Sequence, residues 1–488
     1  MRPRLERHRA RTPGTLAVLS VLKRHKFYSI AGIVGLLALA ASLVPASAST
    51  ASPALAHSRG SLASPALSHI GGSVSLWAEW TSTEQQDFEA VLSPFEAETG
   101  VNVIYSGKGS NMDTAIDAAV AGGAPPQVAL VPDPGTLLAL AKKNAIQPLA
   151  PVIGSEASDY GAAWNDLVTY KGKLYGVWFK GANKNTIWYN PAEFAMAGLH
   201  STPKTWQQLI SDAATLKRAG VTPFSLCTDI GWPVADLWQN VYLKTAGATN
   251  YDALAAHNIA WTGPTVTTAF DTLAELVGQP SYLLGGTKGA LANSYPECVD
   301  KVFPKPGTMP QAAMVIEADF VVSEIVGNSA GYSAGTTAAK GKKCTANPAD
   351  TPCYDFFPFP APVADQMNNS AIQGSGDVAM LFKPTKAAKA LIKYLASPEA
   401  GEIWAHLGGF ASPNKLVPLS SYPDPVTQAD ASELQHATSF VFSLDDLQGS
   451  WEPSLWQDML NFVKNPSKSN IASIEKTMQA QAKAALGH

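Results

Sequence analysis

The chain has 488 residues, 46% of them apolar and 15% charged, which excludes a disordered polymer and a single small domain and fits two or three packed domains. Its 35 Lys and Arg are unevenly placed: eight precede residue 27 against one acid, Glu6, so the remainder carries 27 basic and 38 acidic residues, a net charge of −11. Arg59 and Arg218 are the only arginines past the N-terminal segment, which argues against nucleic acid, phosphate or carboxylate ligands and favours an uncharged one.

In chain order, the basic stretch runs into an apolar segment, Phe27 to Val44, and then into Pro45-Ala46-Ser47-Ala48. Basic, apolar and small is the order of a secretory signal, so residues 1–48 are expected to be a signal peptide. A retained membrane anchor is the competing reading, because 18 apolar residues nearly span a bilayer. No Cys follows the apolar run, so lipid attachment there is excluded. The chain is expected to be exported, secreted or held at the outer face of the cell membrane. Residues 49–72 repeat Ser-Pro-Ala-Leu and read as a flexible tether.

From residue 73 strands and helices alternate. Residues 73–77 read as a strand, and Glu84 to Thr99 as a helix with Phe88, Val91, Leu92 and Phe95 on one face, stopped by Gly100. A strand at 101–105, a short helix at 114–121, a strand at 127–131 and a helix from Thr136 to about Asn144 follow. This grammar builds α/β structure with parallel strands. Later, Thr205 and Gln208 form the spacing of a capping box, with Gly220 at the helix end. Helices are predicted over 266–277 and 384–396, a further one from Ser397 to Gly408, and a long one at the C-terminus. The even cysteine count of an exported chain predicts two disulfides; three connectivities are possible, and Cys227–Cys298 with Cys344–Cys353 is favoured.

Seven blocks in order resemble one family. They are WAEWTSTEQQDFEAVLSPFEAETGVNV (77–103), PPQVALVPDPGTLLALAKKNAIQPL (125–149), GKLYGVWFKGANKNTIWYN (172–190), PKTWQQLISDAATLKRAGVTPF (203–224), GWPVADLW (231–238), AAMVIEADF (312–320) and GDVAMLFKPTKAAKALIKYLASPEAGEIWAHLGGFASPN (376–414). Together they resemble the extracellular solute-binding proteins of ABC sugar importers, near the maltose- and α-glucoside-binding branch. The resemblance implies a two-lobed, type II periplasmic-binding-protein-like α/β fold with three crossing segments. It implies one lobe from 73–183 and 371–420, and another from 184–370 and 421–488. It also implies a carbohydrate ligand held by lobe closure, a monomer, membrane permease subunits as partners, no cofactor and no chemistry.

A sugar offers hydroxyl edges and apolar C–H faces, so a site for it needs carboxylates or amides together with flat aromatics. Candidates come where the predicted strands end or the resembling blocks fall. They are Glu79 and Trp80, Ser110 and Asn111 in a turn, and Asp133. Trp232, Asp236 and Trp238 share one segment; Glu317, Asp319 and Phe320 share another; Trp451 lies in a late loop with Asp445 and Asp446. Each competes with a bland role. Glu79 can cap a helix and Asp133 can form a turn. Trp77 can pack in the core, Lys180 can be a solvated loop charge, and Trp188, Trp206, Trp404 and Trp456 read as packing residues. No metal-ligand spacing is present, and no metal is expected. Gly331-Tyr332-Ser333-Ala334-Gly335 has the G-x-S-x-G form without the flanks of a nucleophile elbow. A secreted glycoside hydrolase and a solute sensor of a membrane signalling system remain as alternatives.

Overall fold

The computed structural model describes residues 69–486 except 306, 329–332, 335–336, 339–341, 344–352, 363–369 and 438. The signal segment, most of the tether, Cys344 and most of the G-x-S-x-G motif therefore lie outside the described residues.

The strands that organise the molecule are, in chain order, β1 (Ser73–Ala78), β2 (Asn102–Gly107), β3 (Val128–Val131), β4 (Gly176–Asn183), β5 (Thr186–Tyr189), β6 (Met314–Val315), β7 (Ser333–Ala334), β8 (Cys353–Pro358), β9 (Ala371–Leu381) and β10 (Ser439–Phe442). The helices used below are α1 (Ser82–Thr99), α2 (Met112–Ala121), α3 (Pro134–Lys142), α4 (Trp206–Arg218), α5 (Trp232–Ala246), α6 (Pro264–Val277), α7 (Val321–Asn328), α8 (Lys386–Leu395), α9 (Pro398–Leu407), α10 (Pro425–Gln435), α11 (Glu452–Lys464) and α12 (Lys468–Leu486).

One six-stranded sheet has the order β10-β9-β3-β1-β2, with β4 also paired to β9. β1 is parallel to β2 and β3, whereas β9 runs antiparallel to β3 and β4 and parallel to β10. The sheet is mixed because the chain returns to it late. A second sheet orders β6-β5-β8-β7.

Sequence pattern explains most of this. In β1 the buried side chains Val74, Leu76 and Ala78 alternate, whereas the central strand β3, Val-Ala-Leu-Val, is buried throughout. On α1 the stripe Phe88, Val91, Leu92 and Phe95 is buried, and Gly100 ends the helix at φ 67°. Each such aromatic contributes about 1.5–3 kcal/mol by leaving water. The helix starts at Ser82, before the expected Glu84. At α4 the Thr205 side chain accepts from the Gln208 amide, as predicted. The Gln208 side chain reaches the amide of Lys204 at 2.7 Å, one residue before the cap, so the box is offset.

Two large hydrophobic cores result. One packs α1, α3, α8 and α9 against the six-stranded sheet; the other packs α4, α5, α6, α11 and α12. A smaller one surrounds Trp188 and the Cys227–Cys298 disulfide, whose Cα atoms are 5.3 Å apart. Cys353 is also in a disulfide.

β9 joins the cores. All eleven of its residues are buried; Ala371 packs in the second core and Val378 to Leu381 in the first. Gly376 lets β4 come this close, since a Cβ there would sit 2.5 Å from the Lys180 carbonyl oxygen. Among the described residues no helix is long and apolar enough to cross a membrane.

Candidate ligand-binding cleft

A cavity of about 200 Å³ opens where β1, the α2 entry, β4 and β9 meet the N-termini of α5 and α11. Its walls therefore come from elements of both large cores.

One wall is aromatic. Trp232 begins α5, and its ring meets those of Tyr295 and Phe320, each at 6.0 Å. Tyr295 and Phe320 meet edge to face at 5.3 Å. Trp456 completes the wall from α11; its Nε1 donates to Asp445 Oδ2 at 2.8 Å. The α11 backbone approaches so closely that a Cβ on Gly231 would lie 2.4 Å from the Cβ of Trp456. Sequence reasoning read Trp456 as core because its helix is amphipathic. It does pack against the second core, and its position opposite Gly231 also makes it line the cleft.

The facing wall is polar. Glu79 follows β1 directly, and Asp377 lies on β9; the two share a hydrogen bond. Burial first, then the charge of Asp377, pushes Glu79 well above the usual carboxylate range. Burial likewise pushes Asp377 up to about 7, with the Lys180 ammonium opposing. Asp377 Oδ1 is buried and has no protein partner. Lys180, 2% exposed, pairs with Glu84 at 2.5 Å and lies 4.6 Å from the Trp404 ring centroid. It is a buried cation of the cleft rather than a solvated loop charge.

Lys184 also lines the cavity and pairs with Asp236 Oδ2 at 2.7 Å. Burial opposes its charge, but Asp236, Asp446 and Asp445 outweigh that and raise its pKa. Asp236 is pushed up to about 7 by burial, against Lys184. Gln373 of β9 donates to it at 3.0 Å.

Of the twelve candidate ligand residues, Glu79, Ser110, Trp232 and Phe320 line the cavity. The other eight do not. Trp80, 1% exposed, packs edge-on against Phe88 at 4.6 Å and Trp404 at 4.8 Å. Asn111 points to solvent at the N-cap of α2. Trp238, fully buried, stacks on Tyr242 at 5.1 Å because its face of α5 meets the second core. Trp451 packs edge-on against Trp261 at 5.1 Å. Asp236 is buried and pairs with Lys184, which lines the cavity. Glu317 is buried near Cys227 and Cys298, whose sulfurs are already bonded to each other and so offer no thiolate to a metal. Asp319 accepts from the Asn183 amide at 3.1 Å. It belongs to a buried network at the β4–β5 crossing, in which Asn183 also donates to Asp430 (3.0 Å) and Glu433 (2.7 Å). Asp133 sits at the N-cap of α3, accepts from Thr136 Oγ1 at 2.8 Å and lies behind the cavity wall.

Sequence reasoning missed Glu84, Asp113, Tyr295, Asp377 and Glu452. Glu452 had one readable signal, its place in the late loop beside Trp451. Asp377 had none, since it sits within an apolar strand pattern.

The fold and its cleft define a two-lobed solute receptor. The family model for the bacterial extracellular solute-binding proteins matches residues 77–402, and the chain belongs to that family, one of binding proteins. The osmoprotective compounds-binding protein GgtB of Synechocystis is 28% identical over 388 residues, covering 78% of this chain and 86% of that protein. The alpha-glucosides-binding periplasmic protein AglE of Rhizobium meliloti is 27% identical over 423 residues, covering 82% and 85%. Among solved structures, a chitin oligosaccharide binding protein superposes with a TM-score of 0.70 at 23% identity, covering 86% of this chain and all of that one.

Proposed function

We propose that the chain is the extracytoplasmic substrate-binding component of an ABC sugar importer and takes an α-glucoside or a related oligosaccharide. The observation that carries this reading is the cavity itself: an aromatic wall of Trp232, Tyr295, Phe320 and Trp456 faces the carboxyl groups of Glu79 and Asp377. Rings stack on the C–H faces of a pyranose, while carboxyl groups accept from hydroxyls, or donate when protonated. The similar proteins AglE and GgtB are named for alpha-glucosides and for osmoprotective compounds, which supports a solute of that kind.

In this reading residues 73–183 with 371–420 form one lobe and 184–370 with 421–488 the other, the stretch from Tyr422 to Phe442 crossing back to pack in the first core. Solute touching both half-sites shifts a hinge equilibrium toward closure, which membrane permease subunits then recognise. The crossing network of Asn183, Asp319, Asp430 and Glu433 is the hinge. The protein works as a monomer outside the membrane, after its N-terminal segment has directed export.

Calorimetry of the purified protein against α-linked disaccharides, monosaccharides and glucosylated polyols tests this. One-to-one binding with the sugar recovered intact is expected. Recovery of cleaved sugar overturns it in favour of a glycosidase, and a protein that binds none of the panel is not a sugar receptor.

A further inference from the structure

One side of the cleft holds more carboxylate than a sugar requires. Asp113 on α2, Asp133 at the N-cap of α3 and Glu452 at the start of α11 bring carboxylate oxygens within 4.8 Å of one another. Asp445, Asp446 and Glu452 form an overlapping set of the same spread. Asp445 is already engaged, accepting from Gln239 Nε2 at 2.7 Å and Trp456 Nε1 at 2.8 Å. Three of the others each keep one unpartnered oxygen. Asp113 Oδ1, Asp133 Oδ1 and Asp446 Oδ2 are buried atoms with no hydrogen-bond partner, in residues of which Asp133 is 1% and Asp446 6% exposed.

Nor is their charge balanced. The charged groups acting on Asp113, Asp133 and Glu452 are all carboxylates. Asp446 alone feels a cation, Lys184, which is bound to Asp236. Buried like charges without a counter-charge are costly, so these carboxyls hold protons unless a positive group joins them.

We propose that Asp113, Asp133 and Glu452 hold a divalent cation of calcium size at the wall of the cleft. The donors are all hard oxygens, which suit calcium or magnesium rather than zinc or copper. An ion 2.3–2.6 Å from each oxygen spans pairs up to about 5 Å apart, the spread seen here; magnesium would demand a tighter octahedron. The site is closed from behind by the α3 backbone. A Cβ on Gly135 would lie 2.8 Å from Asp133 Oδ1 and 3.1 Å from the Gly449 amide nitrogen, so a larger residue there would crowd both. On the open side Asp113 and Glu452 line the cavity, with Asp446 in the lining beside them. Remaining coordination positions face the solute and can take water or a hydroxyl pair. The ion would tie α2 and α3, which pack with the first core, to α11 of the second.

The test uses the full protein stripped with EDTA. Calcium calorimetry is run alongside terbium luminescence, for which the neighbouring Trp456 is the antenna. One calcium per chain is expected, with terbium emission displaced by calcium and affinity reduced at least tenfold in Asp133→Asn and in Glu452→Gln. Asp113→Asn serves as a further isosteric variant, and near-UV circular dichroism checks that each folds. Absence of calcium binding at concentrations up to about 10 mM, above the range of extracellular calcium modules, overturns the proposal. So does binding that the folded variants leave unchanged. Selective binding of amine-bearing sugars by calcium-free protein also overturns it and gives the carboxylates to the solute's own cation. Neutral-sugar binding measured in EDTA reports on the receptor reading separately, so the two can fail independently.

Discussion

Two tryptophans on one helix separate packing from recognition. Trp232 faces the cavity and Trp238 faces the second core. Trp232→Ala is expected to lower sugar affinity about 10- to 100-fold, the loss of one stacking face, while the melting temperature changes little. Trp238→Ala is expected to cost about 3–5 kcal/mol of stability, because it leaves a cavity in a packed interior. Calorimetry and denaturant melts on both variants check this, and the reverse pattern would refute the assignment. Acid residues supply a second test. Asp236, Asp319 and Asp377 are each pushed up to about 7, first by burial. Such a carboxyl keeps its proton in the folded state after the unfolded chain has lost it. Between about pH 4 and about pH 7 the folded protein binds more protons, and stability falls as pH rises. Ligand-free protein should therefore lose melting temperature from pH 5 to pH 8, and Asp377→Asn should lose less of it. Equal slopes for the two proteins would contradict this role for Asp377.

At the scale of elements, stabilisation of the second half of the chain draws on a covalent tie. The Cys227–Cys298 disulfide closes a sequence separation of 71 residues. A paired Cys227→Ser, Cys298→Ser variant is expected to lose about 4 kcal/mol on the chain-entropy account, read from urea titrations; a loss under about 1 kcal/mol would show that packing alone orders the segment. The approach of α5 and α11 is another element-level device. Gly231→Ala forces its new methyl against Trp456, which should cost about 1–3 kcal/mol and displace one aromatic of the cleft. Elements of this kind were readable where periodicity was strong, as in α1 with its Phe88–Val91–Leu92–Phe95 stripe. They were not readable for β9, whose eleven buried residues alternate nothing and whose Gly374, Gly376 and Asp377 disguise a central strand. Burial on both faces erases the period-two signal.

For the whole molecule, the proposed function requires two bodies that move. Small-angle scattering should show the radius of gyration falling when a saturating sugar is added, with no change for a sugar that calorimetry finds not to bind. An unchanged radius with the bound sugar would argue for a preformed, rigid cleft. On that proposal the movement would pass through β9, which serves both cores, and the buried Asn183–Asp319–Asp430 crossing. The sequence by itself determined the alternation of strands and helices, the caps and stops that bound them, the favoured Cys227–Cys298 link and the membership of a binding-protein family. These are set by local spacing and by blocks that keep their order along the chain. Only the tertiary structure decided which acids and aromatics meet. Whether Trp232, Trp456, Asp377 or Glu452 faces a cleft depends on partners tens to hundreds of residues away, and periodicity within one element says which side is buried but not what it is buried against.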